Sequence, residues 1–324
     1  MIRRRHLLTA GAAAACGAPG LLRAQAWPAR PVRMIVPFPA GGPSDNLARP
    51  LLQKLSEQLG QQVFIDNRGG ANGNIGAEVV ARAAPDGHTL LWSPTGTVAV
   101  NPSIYPKLSF DPVRDFAPVS LVAEVQGILI VNNDVPARTV AELIALARAQ
   151  PGKLSFGSPG AGSVVHLLGE QLKLLARVDI LHVPYKGVGP AMTDLIGGQL
   201  TMMFDSTASA LAQARGGRVR MLATGATRRL AQAPDLPTMS ESGVPGFDST
   251  SWHAVFAPAA TPRETVVRMS REIARAVQSA EVATAFDRAG TLPVGSTPEQ
   301  LALALTAATE RWGRLAREAG VRAE

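Results

Sequence analysis

The sequence predicts an α/β fold with mainly parallel sheets. Three observations carry that reading. Short apolar runs and helix-period segments alternate from residue 33 to residue 223. Glycine-rich turns stand between a strand and the following helix at two places. The composition, 46% hydrophobic and 18% charged over 324 residues, supplies a real core for one large domain or two smaller ones.

The elements follow in order. Arg33–Phe38 reads as a strand, and Leu47, Leu51, Leu55 and Leu59 recur at i+4 on one helix face. Pro50 inside that helix predicts a kink or a late start. Ala77–Ala84 is a helix closed by Pro85-Asp86-Gly87, and His88–Ser93 is a strand. Ile128–Val131 is the next strand, and Thr139-x-x-Glu142 opens a helix running to Gln150. Strands at 154–156, 180–184, 200–204 and 218–223 then enclose helices at 163–175 and 190–196. After Thr261 the pattern turns helical, with Thr261-Pro262-Arg263-Glu264 and Thr297-Pro298-Glu299-Gln300 both reading as helix starts.

The N-terminus explains much of the +7 formal charge. Arg3, Arg4 and Arg5 precede an apolar stretch from Leu7 to Ala15, and Ala24-Gln25-Ala26 fits a small-x-small cleavage site. Residues 1–26 therefore read as an export signal of the twin-arginine or general secretory kind. Lipidation at Cys16 is disfavoured, because no Leu stands three residues before it. Removing the leader removes four arginines and no acid, which leaves +3 and argues against a nucleic-acid partner. The remaining chain has no Cys, as suits the periplasm.

The two glycine-rich turns matter most for chemistry. They are Pro37–Asp45, which includes Phe38, Pro39, Ala40, Gly41 and Gly42, and Ser158–Ser163, which includes Gly160, Ala161 and Gly162. Each places main-chain N–H groups and a helix N-terminus at the carboxyl end of a strand, where open α/β sheets bind ligands and anions are favoured. Neither is a phosphate-binding loop or a dinucleotide fingerprint, so no cofactor is expected and a small carboxylate remains. Read alone, each turn is better explained as plain strand–helix punctuation than as a ligand site. No nucleophile elbow is present. Ser163, His166 and Asp205 form a conceivable triad, but nothing marks Ser163 as activated, and no enzyme activity is expected. His88, His166, His182 and His253 make no metal-binding spacing. His182, Trp252 and Trp312 read as core residues.

Motifs along the whole chain after the leader resemble one family. They include Pro39–Asp45, Asp66–Gly76, Asp86–Leu91, Phe110-Asp111-Pro112 with Asp115–Val119, Gly160–Ser163 with His166 and Glu170, Val183–Gly187, and Pro234–Thr238 with Glu241-Ser242-Gly243. The set is similar to the Bug-type solute receptors of tripartite tricarboxylate transporters. Asp66, Gly69 and Asn72 depart from that family's usual Glu, Pro and Gly.

The resemblance implies a two-lobed, type II-like periplasmic-binding-protein fold with a cleft between the lobes. Lobe one would be 27–127 plus 253–324, and lobe two 128–252. The two turns would clasp one carboxylate, through the Ser163 hydroxyl and the N–H groups of Ala40, Gly41 and Gly162. Thr95, Gly96, Tyr185 and Gly187 would line the cleft. Asp205 would accept a hydrogen bond from the ligand or cap the next helix. The expected partners are a small carboxylate and the large and small membrane subunits of such a transporter, with the receptor a monomer. A periplasmic sensor feeding a signalling partner and an exported serine hydrolase stay as alternatives.

Overall fold

The computed structural model describes residues 27–323, so the leader and Cys16 lie outside the described residues. In chain order the elements are β1 (Val32–Val36), α1 (Pro43–Leu59), β2 (Val63–Asn67), α2 (Asn74–Ala81), β3 (Thr89–Pro94), α3 (Asn101–Ile104), β4 (Phe116–Val125) and β5 (Gly127–Val131). There follow α4 (Val140–Ala149), β6 (Ser155–Ser158), α5 (Val164–Ala176), β7 (Leu181–Pro184), α6 (Val188–Ile196), β8 (Met202–Ser206), α7 (Thr207–Arg215) and β9 (Arg220–Thr224). The chain closes with β10 (Ser251–Pro258), α8 (Arg263–Val277), α9 (Ala280–Arg288), β11 (Thr291–Pro293) and α10 (Pro298–Glu318).

These strands build two sheets, ordered β11-β4-β10-β3-β1-β2 and β7-β6-β8-β5-β9. Both are mixed rather than mainly parallel, and the reason is the crossing of the chain between them. Within each half the strand–helix–strand units are parallel, as in β2-β1-β3 and β7-β6-β8. The strand that arrives from the other half enters from the opposite end. β10 is antiparallel to both β3 and β4, and β5 is antiparallel to both β8 and β9. Local periodicity shows the parallel units; strand direction after a crossover is a tertiary fact it does not contain.

Alternation within the strands assigns the cores. In β1, Val32, Met34 and Val36 enter one cluster, while Ile35 enters another. In β5, Leu129 and Val131 join the cluster that holds Ile35, whereas Ile128 and Ile130 face a third. Period-two side-chain direction thus covers both faces of each sheet, and one apolar cluster runs through both halves. Trp252 and Trp312 are buried, at 5% and 1% exposure. Helix α1 starts at Pro43 and runs through Pro50 rather than starting late. Thr297 makes a full capping box with Gln300, but Thr261 caps nothing, because α8 begins one residue later than its motif suggests, with Pro262 at the cap.

Two crossovers tie the halves together. Gln126 alone separates β4 from β5. The returning segment is laced to it: Ser249 Oγ donates to Gln126 Oε1 (3.2 Å) and accepts from the Gly127 N–H (3.0 Å). The Gly225 N–H donates to the Gly127 carbonyl at 2.7 Å. Arg311 of α10 bonds both the Asp248 carboxylate and the Thr250 carbonyl, and its guanidinium lies 4.4 Å from the centre of the Trp312 ring.

Candidate functional site

The first glycine-rich turn is braced from inside. Asp45, with no exposed surface, accepts the Gly41 N–H at 2.9 Å, Asn67 Nδ2 at 3.1 Å and Arg49 Nε at 2.7 Å. Burial opposes the charge on Asp45, but these three donors outweigh it and hold the carboxyl below its ordinary range. Asn67 also donates to the Phe38 carbonyl (2.9 Å), which fixes the turn to the end of β2. Gly41 has φ +77°, a conformation that suits glycine. Pro39 and Ala40 stand exposed at the rim.

The second turn is braced by two histidines. The Gly162 N–H donates to His166 Nδ1 at 3.0 Å, so that nitrogen carries no proton and Nε2 faces Glu170 at 3.7 Å. The His166 ring lies flat on His182, with centroids 3.7 Å apart and planes at 6°. His182 Nε2 is 2.7 Å from Ser158 Oγ, which also contacts the Gly160 carbonyl at 3.0 Å. Burial, and then the neighbouring His166, push the His182 pKa down to about 4. Burial opposes ionisation of Glu170, but His166 and Lys173 outweigh it and hold that carboxyl down. The Ser163 hydroxyl caps α5 by accepting the His166 N–H at 3.2 Å, and its own proton stays free to donate.

Several expected donors are therefore engaged inside the protein. The Gly41 and Gly162 N–H groups serve Asp45 and His166 rather than a ligand. Thr95 Oγ1 accepts the Trp252 N–H (2.7 Å) and donates to its carbonyl (3.1 Å). The Tyr185 hydroxyl donates to Asp194 Oδ2 at 2.7 Å; burial and this bond push its pKa up to about 12. The Gly187 N–H donates to the Pro159 carbonyl. Gly96 and Gly162 sit where the halves meet: a β-carbon on Gly162 would overlap Ile104 Cδ1, and one on Gly96 would lie 3.9 Å from Val164 Cγ2.

What the two turns do bring together is a set of helix starts. A cavity of about 340 Å³ opens between the halves beside the crossovers. Pro43, Val164 and Val188, the first residues of α1, α5 and α6, line it, as does Ser206, the N-cap of α7. Gly42, Gly187 and Ser206 give no side-chain cap to their own helices, so first-turn N–H groups there have no side-chain acceptor. Among the described residues lining the cavity there is no Lys or Arg. Four helix dipoles nevertheless converge, each contributing about 0.3–1 kcal/mol toward a bound anion. Of the residues expected at the site, Asp205 lines this cavity directly. Ser249 and Ser251 of the returning crossover line it too, and no local pattern in the sequence marks them. A larger cavity of about 520 Å³, bordered by Arg228, Arg229 and Glu124, receives no helix start and lies apart from the turns.

A family model described as "Tripartite tricarboxylate transporter family receptor" matches residues 47–321, most of the chain. The chain belongs to that receptor family. The receptor is 42% identical over 314 residues to the UPF0065 protein in the tcbD-tcbE intergenic region of Pseudomonas sp. strain P51, covering 97% of this chain and 93% of that one. It is 38% identical over 310 residues to BugT of Bordetella pertussis, covering 95% of each. Among solved structures, Rpa4515 of R. palustris with adipate superimposes with TM-score 0.83 at 36% identity, covering 91% of the receptor and 99% of that chain. MatC of Rhodopseudomonas palustris with bound malate gives 0.78 at 34% identity, covering 89% and 99%. The periplasmic binding protein BugD, which superimposes with TM-score 0.80 at 35% identity and covers 92% of the receptor and 100% of that chain, places the receptor in the two-lobed periplasmic-binding-protein class. No described helix is long and apolar enough to cross a membrane.

The histidine brace gives a direct expectation. His166→Leu removes the acceptor of the Gly162 N–H and speeds exchange of that amide about fivefold to tenfold, the value of one hydrogen bond of about 1 kcal/mol. His166→Asn keeps an acceptor oxygen near the Nδ1 position and leaves exchange near the wild-type rate. Amide exchange followed by NMR reads both, and equal rates in the two variants would remove His166 from this role.

Proposed function

We propose that this receptor captures a small carboxylate in the cavity between its halves and delivers it to the large and small membrane subunits of a tripartite tricarboxylate-type transporter. The observation that carries the reading is the convergence of four helix N-termini, α1 from one half and α5, α6 and α7 from the other, on one cavity. A carboxylate held by both halves stabilises their closed arrangement, which is how a bound solute is signalled to a partner. The donors we assign are the first-turn N–H groups of these helices and the Ser163 hydroxyl, with Asp45, Asn67, His166 and His182 shaping the turns. The binding of adipate by Rpa4515 and of malate by MatC supports a carboxylate ligand. In this reading the moving bodies are 27–127 with 253–324 against 128–252, the leader is removed on export, the receptor acts as a monomer, and no chemical step is catalysed.

A thermal-shift screen of residues 27–324 against about a hundred carboxylates tests the proposal. A ligand at 100 times its Kd adds about 2.7 kcal/mol and raises Tm by roughly 5–10 °C. If no carboxylate raises Tm while the protein is folded, the reading is overturned.

A further inference from the structure

The geometry points to Asp205 as the residue that selects the ligand: the cavity takes carboxylates that also carry a hydroxyl or ammonium donor, and discriminates against plain acids. This rests on the carboxylate reading above and narrows it. Asp205 is the penultimate residue of β8 and is 5% exposed. Its Oδ1 accepts the Ser206 N–H at 2.8 Å, while its Oδ2 is buried with no hydrogen-bond partner. Burial pushes its carboxyl above the ordinary range, and the nearby Ser209 hydroxyl and the Ser206 N–H offset only part of that.

An orphaned buried oxygen needs a reason. Capping does not supply one: the N-cap of α7 is Ser206, and α7 receives no side-chain cap. An ion pair does not supply one either, since no salt bridge among the described residues includes Asp205. The oxygen belongs to a residue that lines the ligand cavity, and Asp205 is the sole formally charged side chain among its described lining residues. An anion-binding cavity with an acid as its one charged wall repels a plain carboxylate. The repulsion becomes attraction when the ligand carries an N–H or O–H that Oδ2 can accept. The helix starts then hold the carboxylate, and Asp205 reads the substituent beside it.

The test uses matched acids of three lengths, titrated by calorimetry: succinate, malate and aspartate; glutarate, 2-hydroxyglutarate and glutamate; adipate, 2-hydroxyadipate and 2-aminoadipate. At the length that binds, the hydroxy or amino acid is expected to bind at least tenfold more tightly than the plain acid, and the two arms tell which donor is read. In Asp205→Asn the amino acid loses at least tenfold and the plain acid gains at least threefold. A gain of binding cannot come from misfolding. Should the plain acid bind wild-type protein as tightly as its substituted partners, the inference falls and the carboxylate reading stands. If none of the nine binds and the wider screen also fails, both fall together.

Discussion

Replacing Gly169 by alanine is expected to destabilise the receptor by about 2 kcal/mol, although the same change in an ordinary helix interior stabilises by about 1 kcal/mol. Gly169 lies in the middle of α5, and a β-carbon there would lie only 2.1–2.5 Å from three carbons of the Phe156 ring. The ring cannot swing away: Phe156 has no exposed surface and packs on His182 with centroids 4.9 Å apart. Overpacking of this kind costs typically about 1–3 kcal/mol, here at the upper end. The strain also reaches the second glycine-rich turn, because Phe156 and His182 support Ser158 and Gly160. Thermal unfolding should show Tm lowered by roughly 4–8 °C, with weaker carboxylate binding. Adding Phe156→Leu should recover part of the loss, so that the double variant is less damaged than the two single changes added together. A stabilised Gly169→Ala variant would mean the helix does not approach the ring this closely.

Removing the Arg311 side chain is expected to cost roughly 2–3 kcal/mol. Breaking a buried ion pair costs about 3–5 kcal/mol, and the side chains of Arg311 and Asp248 keep 30% and 29% exposure, which lowers the figure. Arginine is required because one fork reaches both the Asp248 carboxylate and the Thr250 carbonyl while its plane covers Trp312; Arg311→Lys should restore only part of the loss. A double-mutant cycle with Asp248→Ala should give a coupling of about 1–2 kcal/mol. Neither residue lines the proposed ligand cavity. The affinity of Arg311→Ala should therefore change only through the ease of closing the halves. A coupling near zero would remove this clamp from the account of the second crossover.

Much of the architecture could be read from residue order, and the reasons for the gaps are physical. The strands β1, β3 and β5 were visible because they are short apolar runs set off by turns or by the next helix, whereas β2 was not read as a strand. β4 and β10 were not assigned as strands: β4 contains Pro118, and both are irregular where they pair, with register shifts at His253/Ala254 and Val255/Phe256. The two glycine-rich turns were legible because strand, glycines and helix start follow one another locally. The internal use of their N–H groups was not. Gly162 and His166 are four residues apart, so their bond was within reach of a spacing argument. Asp45 of α1, in contrast, is stabilised partly by Asn67 at the end of β2. The start of α6 was read two residues late, at Pro190 rather than Val188, and the cap of α7 one residue early, at Asp205 rather than Ser206. Ser249 and Ser251 come to the cavity only through the long return of the chain, which leaves no local trace.

In the proposed site the grip on the carboxylate is made almost wholly of peptide groups at the beginnings of helices. No point substitution other than proline deletes a main-chain N–H; otherwise only an insertion or loss of the helix removes it. Side chains around the cavity are therefore free to drift without loosening the hold on the carboxylate. One altered position beside it, such as 205, can redirect the same scaffold to a different nutrient. A receptor made this way acquires new tastes by single steps and keeps its appetite for acids throughout.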